Sequence, residues 1–203
     1  MSDEQDAQSV GPWAAAKLER LGKYLNAYTQ ILKQQHRWCQ GYIYVDAFAG
    51  AGDYTLRPSS RTGSLGPLLS GIAEFASGSA EQRELIKGSA RVALEIKQPF
   101  TQYVFVERDP ERIGLLQQLR KEYPQQNVSI QRGDCNAYLR QDFLLKFNWS
   151  KWRAVVFLDP FGMQVPWATL EELGRTGGVE VFLNFPVGMA IQPEFPFWPR
   201  RRG

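Results

Sequence analysis

The sequence predicts an α/β fold, a doubly wound and mostly parallel sheet of the Rossmann kind, and three observations carry that expectation. Strand-like and helix-like stretches alternate through the later half of the chain, the pattern of crossovers that builds a parallel sheet. Several strand-like runs, such as YVFV at 103–106 and VVFL at 155–158, are continuously apolar, as strands covered on both faces must be. Acidic residues then recur at or just beyond the carboxyl ends of these strands, the edge at which open α/β sheets bind ligands.

Taken in order, residues 1–11 are acidic and polar and read as a disordered N-terminus. From Pro12, PWAAAKLERLGKYLNAYTQILKQQ sets Leu18, Leu21, Leu25, Tyr28 and Leu32 three or four apart, with Tyr24 and Ile31 widening the stripe, so this is an amphipathic helix. YIYVDAF (42–48) is a strand that runs into the small-residue turn Ala49-Gly50-Ala51-Gly52. Residues 53–87 are rich in Gly, Ser, Pro and Arg and read as a long loop with one helix near Leu68 to Phe75. Ser89 is placed to cap a short helix through Ile96. Then follow a strand over 102–107, a helix from Pro110 to Glu122, a strand over 127–134, and a short helix near Ala137 to Leu145. A strand over 153–159, a helix from Trp167 to Gly174 and a strand over 179–185 complete the alternation.

With 203 residues, 43% of them hydrophobic, the chain suits one domain with a substantial core. Lysine and arginine (24) barely exceed aspartate and glutamate (21), so bulk charge does not mark a basic nucleic-acid binder, though it leaves room for a local basic face. Cys39, Cys135 and His36 are too few for a Cys/His zinc cage, and no metal is expected; the cysteines read as buried reduced thiols. No stretch approaches the ~20 apolar residues of a membrane span, and the N-terminus is not a signal sequence. A soluble, cytoplasmic protein is expected.

Asp46, Glu107, Asp134 and Asp159 fall at four strand ends. Gly50 and Gly52 let backbone approach a ligand closely, but a dinucleotide fingerprint needs a third glycine where Thr55 stands, which argues against a dehydrogenase. Asp46 lies close to the turn, where an ammonium group or water can pair with it. Glu107 is suited to both hydroxyls of a ribose, and Asp134 to an adenine amino group. An amino-acid end, a ribose and an adenine, with no pyrophosphate, describe S-adenosylmethionine. Each acid also has a purely structural reading, as a cap for the helix or turn that follows it. The interval from Asp46 to Glu107 far exceeds the roughly 20 residues of a compact unit, so 53–87 reads as an inserted lid or recognition segment.

Asp159-Pro160-Phe161-Gly162 follows the fourth of these strands. Methylating an exocyclic amine requires acceptors that turn the nitrogen lone pair toward the methyl group. Asp159 and the Pro160 carbonyl supply acceptors, and Phe161 a ring on which a base stacks. The alternative is a plain Pro-Phe-Gly turn.

DAFAGAGDY, GSARVALEIKQPF, YVFVERDPER, GDCNAYL, VVFLDPFGMQVPWATLEEL and NFPVGMAIQ together resemble, in order, the bacterial three-Cys-motif partner protein family, over roughly Trp13 to Gln192. The resemblance implies a Rossmann-like domain of the class I methyltransferase type over 12–192, dependent on S-adenosylmethionine and associated with a three-Cys-motif, radical-type protein. By motif, Asp46, Gly50 and Gly52 correspond to the cofactor turn, Glu107 to the ribose ligand, Asp134 to the adenine ligand and Asp159 to Gly162 to the reaction motif. FLDPFG is also similar to the Asp-Pro-Phe-Gly motif of tRNA guanine-N2 dimethyltransferases, which act on an exocyclic amine. Methyltransferase sheets of this type continue with a C-terminal hairpin that the remainder PVGMAIQPEFPFWPRRRG cannot form, with 193–203 an irregular tail, so an open sheet edge that favours self-association or a partner is expected. Arg200-Arg201-Arg202 reads as a solvated terminus, with phosphate binding as the alternative. The expected activity is methyl transfer to a nucleic-acid base amine, RNA ahead of DNA. The competing expectation is a catalytically degenerate, cofactor-binding partner subunit.

Overall fold

The structure, a computed structural model, describes residues 9–10, 12–56, 85–160 and 164–184. Five strands, β2 (Gly41–Asp46), β5 (Gln102–Glu107), β6 (Val128–Arg132), β7 (Trp152–Leu158) and β8 (Val179–Leu183), form one parallel sheet in the order β6-β5-β2-β7-β8. The earliest strand lies at the centre and the order reverses on either side of it, which is the doubly wound arrangement expected from the alternation.

The apolar runs of the sequence are explained by the two layers that cover this sheet. Tyr44, Tyr103, Phe105, Val155 and Phe157 pack under α1 (Pro12–Lys33), α2 (Ser89–Leu94) and α3 (Pro110–Glu122), through Leu18, Leu21, Leu25, Ala90, Leu116 and Leu119. The alternate residues Ile43, Val45, Val104, Val106, Val156 and Leu158 pack on the other side. There they meet α4 (Cys135–Tyr138), a π-helical turn (Leu139–Phe143), α5 (Leu144–Lys146) and α6 (Trp167–Arg175), chiefly through Leu139, Phe143 and Leu173. Fully burying each such side chain stabilises the fold by about 1.5–3 kcal/mol. The helix starting at Pro110 begins where proline is tolerated, at its first turn, and Asp109 accepts hydrogen bonds from the Glu111 and Arg112 amides there.

Three expectations are corrected. Ser9–Val10 (β1) is not part of a disordered terminus but pairs in parallel with β3 (Asp53–Leu56). The stretch 53–87 is not loop throughout, because β3 pairs antiparallel with β4 (Leu85–Lys87), giving a small sheet in the order β1-β3-β4. Strands of two to four residues are held by backbone pairing and leave no readable side-chain period. Ser89 does not cap α2: extended Gly88 occupies that position, and the helix ends at Leu94.

β2, β6 and β8 end earlier than expected, β2 stopping at Asp46 so that Ala47 and Phe48 belong to the turn, whereas β5 spans the expected 102–107. The helix expected near 68–75, and the chain beyond Asn184 with its expected missing hairpin and irregular tail, lie outside the described residues. Among the described residues no helix is long and apolar enough to cross a membrane.

Candidate functional site

The turn after β2 is anchored to both neighbouring strands. The Ala47 amide donates to the Phe157 carbonyl at 3.0 Å, and the Ala49 amide to the Val106 carbonyl at 3.1 Å. Gly50 and Gly52 have φ of 62° and 87°, a region in which a side chain is strained. A β-carbon on Gly52 would also stand 3.0 Å from Leu119 Cδ2, so α3 packs directly against the turn.

Glu107, at the end of β5, is bound to this turn. Its Oε2 accepts from the Gly50 amide at 3.0 Å, and its Oε1 from the amides of Arg108 and Asp109 at 2.7 and 3.0 Å. A carboxylate offers about four lone-pair sites, so Oε2 retains acceptor capacity for a ligand hydroxyl. The Gly133 amide donates to the Glu107 carbonyl at 3.0 Å and ties in the end of β6, where exposed Asp134 caps α4 by accepting from the Ala137 amide at 3.0 Å. The structural reading of Asp134 as a cap is therefore realised, and its exposure leaves it open to a ligand as well.

Asp46 lies underneath, fully buried. The Phe48 amide donates to Oδ1 at 3.2 Å, the Tyr44 hydroxyl to Oδ2 at 3.3 Å, and the Ser89 hydroxyl adds a third bond. Burial pushes its carboxyl up to about 7, against the lowering effect of the Ser89 and Phe48 bonds, and the nearby Asp159 charge adds to the rise. Asp46 thus holds the turn from within the protein instead of meeting an ammonium group on the surface.

Asp159 follows the last residue of β7. Its Oδ1 accepts from Asn184 Nδ2 at 2.6 Å, and its Oδ2 meets the ammonium of Lys17, from α1, in an ion pair whose side chains are 28% and 15% exposed. The Asn184 amide donates to the Leu158 carbonyl at 2.8 Å, holding that side chain level with Asp159. Pro160 is buried, and Phe161 and Gly162 lie outside the described residues.

All four acids therefore gather at one carboxyl edge, Asp46 below it and the other three on it. Lys17, Ser89 and Asn184 were not foreseen as parts of this edge. Ala47, Phe48, Glu107, Arg108, Gly133 and Cys135 line a shallow depression of about 40 Å³ there. Both cysteines are free and buried, and burial pushes the Cys135 thiol up to about 11, which leaves it protonated and unreactive. Among the described residues no cluster of three or more His, Cys, Asp or Glu side chains is arranged to hold a metal ion.

No protein-family model matches the chain, and no curated protein does. Among solved structures, the chain is similar to the crystal structure of protein LPL1258 from Legionella pneumophila str. Philadelphia 1, described as family-model DUF519, with a TM-score of 0.51 and 17% identity. The likeness covers 80% of this chain and 66% of that one, so the chain spans just under two thirds of its neighbour's length, and it shows the fold alone.

Proposed function

We propose that the chain is an S-adenosylmethionine-dependent methyltransferase acting on an exocyclic amine of a nucleic-acid base, RNA ahead of DNA, and that it is of the three-Cys-motif partner kind. The observation that carries this reading is the gathering of Glu107, Asp134 and Asp159 on one carboxyl edge, around a glycine turn braced from below by Asp46.

The residues present fit that cofactor. Glu107 Oε2 has one protein donor and room for a ribose hydroxyl, while exposed Asp134 suits an adenine amino group. Gly50 and Gly52 carry no side chain that would keep a ligand off the turn. When bound, S-adenosylmethionine supplies an electrophilic methyl group on sulfur. Asp159 and the Pro160 carbonyl then accept hydrogen bonds from the incoming amine and turn its lone pair toward that methyl group, while Phe161 stacks the base. Lys17 and Asn184 hold the Asp159 carboxylate in one orientation. The incoming amine replaces the Lys17 ammonium, which is itself an amine resting on the acceptor.

The same contact favours a second reading from another class: with Asp159 already occupied by Lys17 and Asn184, the chain is a cofactor-binding partner subunit that no longer transfers. Labelled S-adenosylmethionine with total RNA and, separately, total DNA distinguishes the two. Transfer that is lost in Asp159→Ala while cofactor binding persists supports the enzyme. Cofactor binding without transfer to either nucleic acid supports the subunit, and absence of cofactor binding overturns both.

A further inference from the structure

The formal charge of the whole chain is only +3, yet the stretch from Lys17 to Arg37 holds Lys17, Arg20, Lys23, Lys33 and Arg37 against the single acid Glu19. The positive excess of the protein is thus concentrated on one helix and the turn after it, and the remainder is slightly acidic.

Part of this charge faces a groove. Lys23, Asn26, Gln30 and Lys33 on α1 form one wall, and Lys97 and Gln98, between α2 and β5, form the other. The Lys97 amide donates to Asn26 Oδ1 at 2.9 Å, which fixes the second wall against the helix. All three lysines are exposed, and Lys23 makes an exposed pair with Glu19, of the kind that exchanges readily with solvent and ligand. Lys23 and Lys33 are about 15 Å apart along the helix axis, room for several consecutive phosphates.

The chemistry of the lining selects among polyanions. An anionic membrane is disfavoured because Leu18, Leu21, Leu25, Tyr28 and Leu32 of α1 are buried in the core, which leaves Ile31 as the one large aliphatic side chain that the described helix exposes, too little apolar area to anchor it. An acidic protein partner ordinarily docks through aromatic or aliphatic anchors, whereas Ala27 is the one apolar residue of this lining. Gln30, Gln34 and Gln98 instead interleave carboxamides with the lysines. A carboxamide both donates and accepts, which suits the 2′-hydroxyl of ribose.

We propose that this groove is a docking track for single-stranded RNA, with the lysines on phosphates and the carboxamides on ribose hydroxyls. The choice of nucleic acid rests on the proposed function.

The test is fluorescence anisotropy of a short labelled single-stranded RNA with the full chain, titrated across salt concentrations. Substituting Lys23→Gln, Lys33→Gln and Lys97→Gln together is expected to flatten the slope of log affinity against log salt by about 2, at ~0.7 per single-strand phosphate contact. The triple arginine variant is expected to keep the wild-type slope, and both variants to melt as the wild type does. An unchanged slope in the glutamine variant, or a lost one in the arginine variant, overturns the track. Equal affinity for DNA of the same sequence overturns the ribose contacts, and displacement of RNA by polyglutamate of matched charge overturns RNA as the partner. Methyl transfer is read separately, so RNA binding without transfer removes the enzyme and keeps the track, while transfer with an unchanged slope does the reverse.

Discussion

The ammonium of Lys17, on the first helix, meets the carboxylate of Asp159 at the end of the fourth strand of the main sheet in chain order, across 142 positions of sequence. The pair pins the start of α1 to the carboxyl edge, and it is partly buried on both sides, so removing one partner leaves a partly desolvated charge behind.

Lys17→Met is expected to destabilise the fold by about 1–3 kcal/mol, the cost of leaving a partly buried carboxylate with one fewer charged partner. Asp159→Asn should cost a similar amount, and the double variant less than the two singles together, because the second change removes a charge already unpaired. Urea unfolding of all four proteins measures this coupling; strict additivity would mean the contact contributes nothing.

Asp46 makes stability depend on pH in a stated direction. Its carboxyl is raised from 3.8 to about 7 by burial, so between those values the folded protein holds a proton that the unfolded chain has released. Stability from this group is complete below about pH 4 and is lost as pH rises toward 7. Asp46→Asn keeps an acceptor for the Phe48 amide, turns an amino group toward the Tyr44 hydroxyl, which can accept from it, and cannot titrate. Its stability relative to the wild type should therefore climb from pH 4 to 7 and level off above, a trend that melting temperatures across that range would reveal or refute.

Gly52→Ala meets two penalties, the φ of 87° and the approach of Leu119 Cδ2 to 3.0 Å. A loss of about 1–3 kcal/mol is expected in urea unfolding. Leu119→Ala relieves the contact at its own cavity cost, so on that background Gly52→Ala should still lose the backbone part, and no loss relative to Leu119→Ala alone would show that the dihedral was never the constraint.

Glu107 does two jobs that one substitution separates. Glu107→Gln retains an oxygen for one backbone donor but turns an amino group on the others. We expect S-adenosylmethionine affinity to fall by ~1.5–3 kcal/mol in calorimetry, with a smaller fall in melting temperature. Unchanged affinity would remove Glu107 from the proposed ribose site.

The main sheet was legible because its strands are buried on both faces: runs such as VVFL before Asp159 carry their burial in their composition. The carboxyl-edge acids were legible for the same reason, since each stands where an apolar run stops. What sits above or below each acid was not. Asp46 is buried because Ser89 and Tyr44 are brought over it, and Ser89 is available because Gly88, not Ser89, occupies the N-cap. Lys17 reads as an ordinary margin residue of an amphipathic stripe until the fold delivers Asp159 to it. The basic groove was hidden by averaging, since a net charge of +3 does not reveal that acids elsewhere mask five cations on one helix and the turn after it.

The pairing of β3 with β4 has a consequence for the carboxyl edge. Thr55 stands opposite Leu85, and the Gly88 amide donates to the Gly52 carbonyl at 2.7 Å, so the chain enters and leaves residues 57–84 at nearly the same point. The ladder therefore fixes Gly52 and Gly88 as neighbours, so the glycine turn after β2 and the start of α2 reach the carboxyl edge as one braced unit.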